Sequence, residues 1–383
     1  MGADCVWESP VFDASGYAKA ARYLLLGLDA LGANIRLNQF RNWSLLDVDI
    51  PESQFKTFKT MMDRDLTGAV PCVMMKIPDA YEFQWGLESK QIGYTMFEVD
   101  GIPKKWVGIL RMCDEVWVPS TFNKKTFADS GVEKDKIQVM PLGVDTEHFK
   151  PGAEPIKINN INDDTFVFLS VFQWSIRKGW DVLIDAYLEE FDRDENVCLV
   201  LKTYEATPGD PICENIIRNC VLGIKKMIGD RKRDKFPRIL WYKDLIADQQ
   251  MPSLYSAADA FVLPTRGEGW NLPGIEAMSM GLPTICTRWS AHLDFMNDKN
   301  SFLIDVDRVS SEHAGEMHRI HTGYFEMKWA TPSITHLRKL MRFVYENRKM
   351  SAKIGKRARK DMIKNWTWDH ATKKINDRLL ELM

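Results

Sequence analysis

Short apolar runs alternate with helical patterns along most of the chain. Within the first 150 residues, the runs at 5–7, 35–38, 70–76, 91–97, 115–118 and 137–140 read as strands. Between them, 16–31, 103–111 and 121–129 carry apolar residues at helical spacing. Strand, helix, strand in repetition predicts a parallel sheet covered on both faces, because crossover helices bury both of its sides. The pattern breaks at Phe149-Lys150-Pro151-Gly152 and the polar stretch KINNINDDT, a linker by composition. It then restarts, with strands at 166–171, 197–202, 238–241, 260–262 and 284–286 and helices at 180–190, 213–228, 249–257 and 273–280. From Pro332 onward the spacing is helical only. The fold class expected is α/β, with two doubly wound parallel-sheet domains facing a cleft. Their bounds are 1–150 and 151–365, and a C-terminal helix at 366–383 crosses back to the first domain.

A length of 383 residues at 45% hydrophobic content exceeds one ordinary core and fits two domains. The net charge of −2 gives no global basic field for coating nucleic acid or an anionic membrane. Seven cysteines are scattered, odd in number and without zinc spacing, which predicts free buried thiols in a reducing, cytoplasmic compartment. The start MGADCVWESPVF lacks the pattern of a signal peptide, and Val6 breaks that of myristoylation. No run approaches about 18 apolar residues, so no transmembrane helix is expected, while peripheral contact with a membrane stays compatible with the sequence.

Candidate chemistry concentrates in FVLPTRGEGWNLPGIE, residues 261–276. An apolar strand ends at Leu263, a loop carries Gly267 and Gly269, and Pro273 suits the first turn of a helix. Glu268 and Glu276 stand eight positions apart, one on the loop and one about a turn into the helix. In open α/β sheets the ligand crevice lies at the carboxyl ends of the strands, and a helix N-terminus there attracts an anion. A carboxylate accepts from both hydroxyls of a vicinal diol. Two carboxylates flanking an anion site therefore suit a nucleotide sugar. Arg177-Lys178-Gly179 follows the strand at 166–171 and precedes a helix, at another carboxyl edge. The first helix opens on Asp13-Ala-Ser-Gly16-Tyr17, where Gly16 permits close backbone approach. Asp47-Val-Asp49 and Asp305-Val-Asp307 follow no plausible site strand, so no metal site is expected.

These residues resemble glycosyltransferase family 4, of the two-domain GT-B architecture. The family signature is Glu, seven residues, Glu, usually within E-G-F-G-L-P-x-x-E; here it reads E-G-W-N-L-P-G-I-E, followed by AMSMGLPTICT. SVFQWSIRKGWDVLIDAYL, LYSAADAFVLPT and DEVWVPSTFNKKTFADSGVEKDKIQVMPLGVDTEHFKP extend the resemblance over most of the chain. The resemblance implies that Glu276 holds the donor ribose and that Glu268 contacts the transferred sugar near the reaction centre. Gly269, Trp270, Asn271 and Leu272 would place amides near the phosphates or the sugar. It puts Lys178 on the donor diphosphate. The family often has an arginine about six positions earlier, where Phe172 stands here. Arg177 or Arg266 then supplies the second cation, with Arg177 favoured. Many relatives carry a histidine in the first domain; the corresponding YTMFEVD, 94–100, has none. Glu98 and Asp100 are the candidates for orienting an acceptor hydroxyl. His313, His318 and His321 cluster without a metal pattern, His292 follows a second-domain strand, and the basic run at 231–235 reads as solvated.

The expectation is a retaining hexosyltransferase that uses a UDP- or GDP-sugar and a hydroxyl acceptor on a glycan, lipid or other molecule. It requires no metal or other cofactor. Alternatives are a nucleotide-sugar epimerase or phosphorylase on the same fold, a non-catalytic sugar-nucleotide-binding subunit, and a DNA-base glucosyltransferase. The near-neutral charge counts against nucleic acid as a partner.

Overall fold

The computed structural model describes residues 2–40, 48–83, 89–159, 161–204, 211–232, 236–242, 246–312 and 327–383, with backbone only at 204, 211–217 and 229–232. Asp47, the three clustered histidines and most of the 231–235 run lie outside the described residues. The chain divides into two compact units, Met1–Gly143 with Asn365–Met383, and Val144–Lys364.

The first unit holds strands β1 (Asp4–Ser9), β2 (Asn34–Gln39), β3 (Cys72–Met75), β4 (Gln91–Tyr94), β5 (Glu115–Val118) and β6 (Ile137–Val139). They pair in parallel in the order β2-β1-β3-β4-β5-β6. β3 is shorter than the apolar run suggests because Pro71 has no N–H to give the ladder; only its carbonyl is used, by Val6. Helices α1 (Gly16–Ala30), α2 (Glu52–Met62), α3 (Lys104–Arg111) and α4 (Thr121–Asp129) follow in the chain. Only Phe58 and Met61 of α2 are buried, too thin a stripe to be read from sequence. Trp7, Tyr94 and Trp117 pack edge to face at 6.5 and 6.0 Å in the core of this unit.

The C-terminal helix (Trp368–Leu382) belongs to this unit and packs on α1. Trp368 stacks on Tyr23 with centroids 4.9 Å apart, and Asn376 accepts the Ala3 N–H at 3.0 Å. Arg378 pairs with Glu115, which is buried.

The second unit holds β7 (Phe166–Gln173), β8 (Val197–Tyr204), β9 (Arg238–Tyr242), β10 (Ala260–Leu263), β11 (Thr284–Thr287) and β12 (Phe302–Ile304), parallel in the order β12-β11-β10-β7-β8-β9. Its helices are α5 (Trp180–Glu190), α6 (Pro211–Lys232), α7 (Met251–Ser256), α8 (Leu272–Ser279), α9 (Ile334–Glu346) and α10 (Arg348–Asn365). An antiparallel pair of strands, β13 (Val306–Ser310) with β14 (Trp329–Pro332), was not expected. β13 has no buried residue, so it lacks the alternation that marks a half-buried strand. The order reverses between β7 and β10, with β8 and β9 to one side and β11 and β12 to the other. That topological switch point is where the carboxyl-edge loops part and a crevice opens.

Candidate active site

The loops after β7 and β10 flank the switch point and are tied together. β7 runs into a short 3-10 turn, Ile176–Lys178, and then Gly179 at φ +69°. A Cβ at Gly179 would lie 1.9 Å from the Pro264 carbonyl oxygen, so only glycine lets the two loops approach this closely. The Arg266 amide donates to the Arg177 carbonyl at 2.7 Å, and the Arg266 guanidinium donates to the Ile176 carbonyl at 2.7 Å. The same guanidinium grips Asp181 through two bonds of 2.8 and 2.7 Å. Arg266, buried, is thus committed to holding the loops, which leaves Arg177 as the nearer second cation.

Lys178 and Glu268 meet across the switch point. The Lys178 ammonium donates to both oxygens of Glu268, at 2.6 and 2.8 Å. Arg177 gives one N–H to the Gly267 carbonyl at 2.7 Å and stands 3.5 Å from the same carboxylate. Both partners of the central pair are buried. Burial raises the Glu268 pKa, but the opposing pull of Lys178 and Arg177 is larger, and the net shift is downward.

Ser290, just past β11, fixes the backbone of Glu268. Its Oγ accepts the Glu268 N–H at 2.7 Å, and its hydroxyl donates to the Glu268 carbonyl at 2.6 Å. Ser290 does this at φ +89° and ψ −169°, a region that essentially only glycine enters without strain. Ser290→Gly relieves that strain while losing the two bonds; Ser290→Ala loses the bonds and keeps the strain. Urea unfolding is expected to find the alanine variant less stable than the glycine variant by about 1–3 kcal/mol. Equal stability of the two would contradict the strained geometry.

His292 lies close enough to Glu268 to interact with it electrostatically. It is fully buried, with Nε2 on the Thr287 carbonyl at 2.6 Å and, among the described residues, no hydrogen-bond partner for Nδ1. Because Nε2–H must donate to a carbonyl, the neutral tautomer fits; a proton on Nδ1 would be buried without an acceptor. Burial accordingly lowers its pKa, with the Glu268 charge opposing. Both groups bind fewer protons folded than unfolded, so both stabilise above their unfolded pKa and lose that contribution as pH falls. For His292 the loss begins below about pH 6.5, and for Glu268 below about 4.5. Melting temperatures taken from pH 7 to 5 are expected to fall, with a shallower slope in His292→Gln. Parallel curves for the two proteins would refute the assignment to His292.

After Glu268 the chain enters α8. Asn271 caps it from the left-handed region, φ 82°, and its side chain accepts the Gly274 N–H at 3.0 Å. A Cβ at Gly274 would lie 2.6 Å from that cap, which explains the glycine. The helix therefore begins at Leu272 rather than Pro273. Gly269 and Trp270 are buried, Trp270 against Phe295 at 5.0 Å, and Leu272 is half-buried. Glu276, also buried, accepts the Tyr255 hydroxyl at 2.9 Å.

The structure thus brings Arg177, Lys178 and Glu268 together, and sets Glu276 on the helix leaving the same loop. Gly16, Glu98 and Asp100 belong to the first unit. There Gly16 starts α1, capped by Ser15, and a Cβ on it would meet open space. Glu98 is half-buried and Asp100 exposed, on the segment after β4. That segment is pinned to the start of α1, since the Met96 N–H donates to the Tyr17 hydroxyl at 3.1 Å. Asp305 forms an ion pair with Arg288 at 3.6 Å and faces His336 at 3.0 Å. Among the described residues, no three His, Cys, Asp or Glu side chains are grouped to hold a metal. Ser290, Tyr255 and the Arg266–Asp181 pair were not expected. Asn271, ahead of Leu-Pro, carries a readable capping signal.

Residues 163–322 match the family described as glycosyl transferases group 1. Mannosylfructose-phosphate synthase of Agrobacterium fabrum is 28% identical over 185 residues, 47% of this chain and 38% of that protein. A GDP-mannose-dependent alpha-(1-6)-phosphatidylinositol monomannoside mannosyltransferase of Mycobacterium tuberculosis is 25% identical over 57% of this chain and 56% of its own. These matches span 38% and 56% of the relatives' own length. Among solved structures, sucrose-phosphate synthase of Thermosynechococcus elongatus superposes with a TM-score of 0.72 at 16% identity, covering 99% of both chains. An Anabaena protein in complex with UDP-glucose gives 0.65 at 13% identity, over 99% of this chain and 98% of that one. Among the described residues, no helix is long and apolar enough to cross a membrane. The chain has the GT-B fold, and its segment 163–322, less than half of its length, is similar to the group 1 glycosyl transferases.

Proposed function

We propose that the protein transfers a hexose-like sugar from a UDP- or GDP-sugar to a hydroxyl acceptor, with retained anomeric configuration and without a metal. The observation that carries this reading is the buried Lys178–Glu268 pair, with Arg177 beside it, at the switch point of the second sheet. In the reaction the bond between the anomeric carbon and the diphosphate oxygen breaks, and negative charge grows on the leaving group. Lys178 and Arg177 oppose that charge from fixed positions, where preorganised cations act most strongly. Glu268, its backbone clamped by Ser290, orients the sugar hydroxyls, and Glu276, held by Tyr255, takes the ribose diol. The acceptor proton passes to the departing phosphate oxygen on the same face, so transfer proceeds without a strong base. Glu98 and Asp100 are the first unit's candidates for the acceptor hydroxyl. The names of similar proteins supply both nucleotide classes, GDP-mannose in one and UDP-glucose in another.

Mixing the protein with isotope-labelled UDP-glucose or GDP-mannose and a panel of glycan and lipid acceptors tests the reading. The expected product is an α-glycoside from an α-linked donor, formed at the same rate with EDTA present. A β-linked product, an epimerised donor, or loss of turnover with EDTA would overturn the corresponding part.

A further inference from the structure

A dense patch of positive charge lies on α10 rather than on the loops of the candidate active site. Its sequence, RKMSAKIGKRARKDMIKN, carries eight basic residues against one acid, a net +7 in a chain whose formal charge is −2. The helix is fastened to the second unit by small residues. Ser351, Gly355 and Ala358 are buried with Met362, and a Cβ at Gly355 would lie 2.1 Å from the Gly281 carbonyl oxygen. Its arginines face protein. Arg359 donates to the carbonyls of Thr146, Phe149 and Ser279; Arg348 lies over the Phe166 ring at 4.9 Å; Arg357 donates to the Lys299 carbonyl at 3.2 Å.

The lysines do the opposite. Lys349, Lys353, Lys356, Lys360 and Lys364 are all exposed, and their spacing of three or four residues puts them on one face. At 1.5 Å per residue the stripe runs for about 22 Å. No ion pair joins any of the five to an acid among the described residues. Like charges four apart on a helix repel one another, so the stripe is unfavourable until something anionic meets it. Met350 and Ile363 flank it, one on each side by helical spacing, 55% and 46% exposed.

We propose that this stripe docks the protein on an anionic membrane surface, with Met350 and Ile363 entering the headgroup layer. Lysine ammonium groups are point charges without preferred geometry, which suits a fluid array of headgroups. Nucleic acid favours the planar fork of arginine and stacking aromatics; here the arginines are occupied and the face bears no aromatic. A basic face flanked by apolar side chains on a rigid helix is the pattern of an interfacial helix. The inference goes beyond the sugar-transfer reading and does not rest on it.

Co-sedimentation of the full chain with vesicles tests it. The protein is expected to pellet with vesicles of equal parts phosphatidylcholine and phosphatidylglycerol, to stay soluble with phosphatidylcholine alone, and to be released by high salt. Each lysine near such a surface contributes about fivefold in partitioning, so K353E/K356E/K360E should lower it by about 100-fold or more. Its circular dichroism should stay that of the wild type and its melting temperature should be no lower, since the changes relieve repulsion along the helix. Should that variant fail to fold, the milder K353Q/K360Q carries the same test, with a fall of about 25-fold. Wild-type protein left in the supernatant with the anionic vesicles overturns the proposal. So does a folded variant that pellets like wild type, or duplex DNA that displaces the wild type from the vesicles.

Discussion

Replacing Lys178 with Met is expected to lower both stability and turnover, by separable amounts. Among the described residues, the substitution leaves the buried Glu268 carboxylate with Arg177, 3.5 Å away, as its remaining paired cation. Breaking one side of a buried pair costs about 3–5 kcal/mol, because the remaining charge stays desolvated. In a unit of this size that is a fall of about 6–20 °C in melting temperature. If Lys178 also opposes charge on the departing diphosphate, turnover falls by about 100- to 1,000-fold. The double variant Lys178→Met, Glu268→Gln separates the two effects. Removing the orphaned charge should recover about 2 kcal/mol or more, while turnover stays low. A double variant no more stable than Lys178→Met would show that the pair is not the buried, mutually dependent unit described above.

The second large effect concerns nucleotide affinity. Glu276→Ala is expected to weaken UDP or GDP binding by about 100-fold, since two hydrogen bonds from a diol to a charged acceptor are worth roughly 3 kcal/mol or more together. Glu276→Gln keeps the shape and one acceptor and should lose about tenfold. Tyr255→Phe removes the bond that orients the carboxylate and should show a smaller loss in the same direction. Titration calorimetry with each nucleotide reads all three. An unchanged Kd in Glu276→Ala would remove this residue from the nucleotide site.

Much of this was legible in the sequence because local rules and global topology agree. The apolar runs ending at Leu263 and near Val171 marked two carboxyl edges, and the polar residues beyond them, Arg177, Lys178 and Glu268, meet in space. Alternation of strand and helix predicts the parallel sheet, while the pairing of β7 with β10 appears only in the folded unit. Other features left no signal. Ser290 sits in a backbone conformation that serine rarely adopts, so nothing in Trp-Ser-Ala announces its two bonds to Glu268. Arg266 looked like a second candidate cation; its commitment to Asp181 spans 85 positions and appears only once the loops are folded together. β13 and α2 bury too few residues for period-based reading to detect, and β14 is a run of only four residues. The lysine stripe of α10 was not read from the sequence, because whether its charges are paired depends on neighbours that only the fold supplies.

The central claim is that the switch point of the second sheet is a nucleotide-diphosphate site. A crystal structure of the protein with UDP or GDP tests it most directly. The account predicts diphosphate oxygens within about 3 Å of the Lys178 ammonium and ribose hydroxyls on the Glu276 carboxylate. Nucleotide bound elsewhere on the molecule, with the Lys178–Glu268 pair untouched, would contradict it.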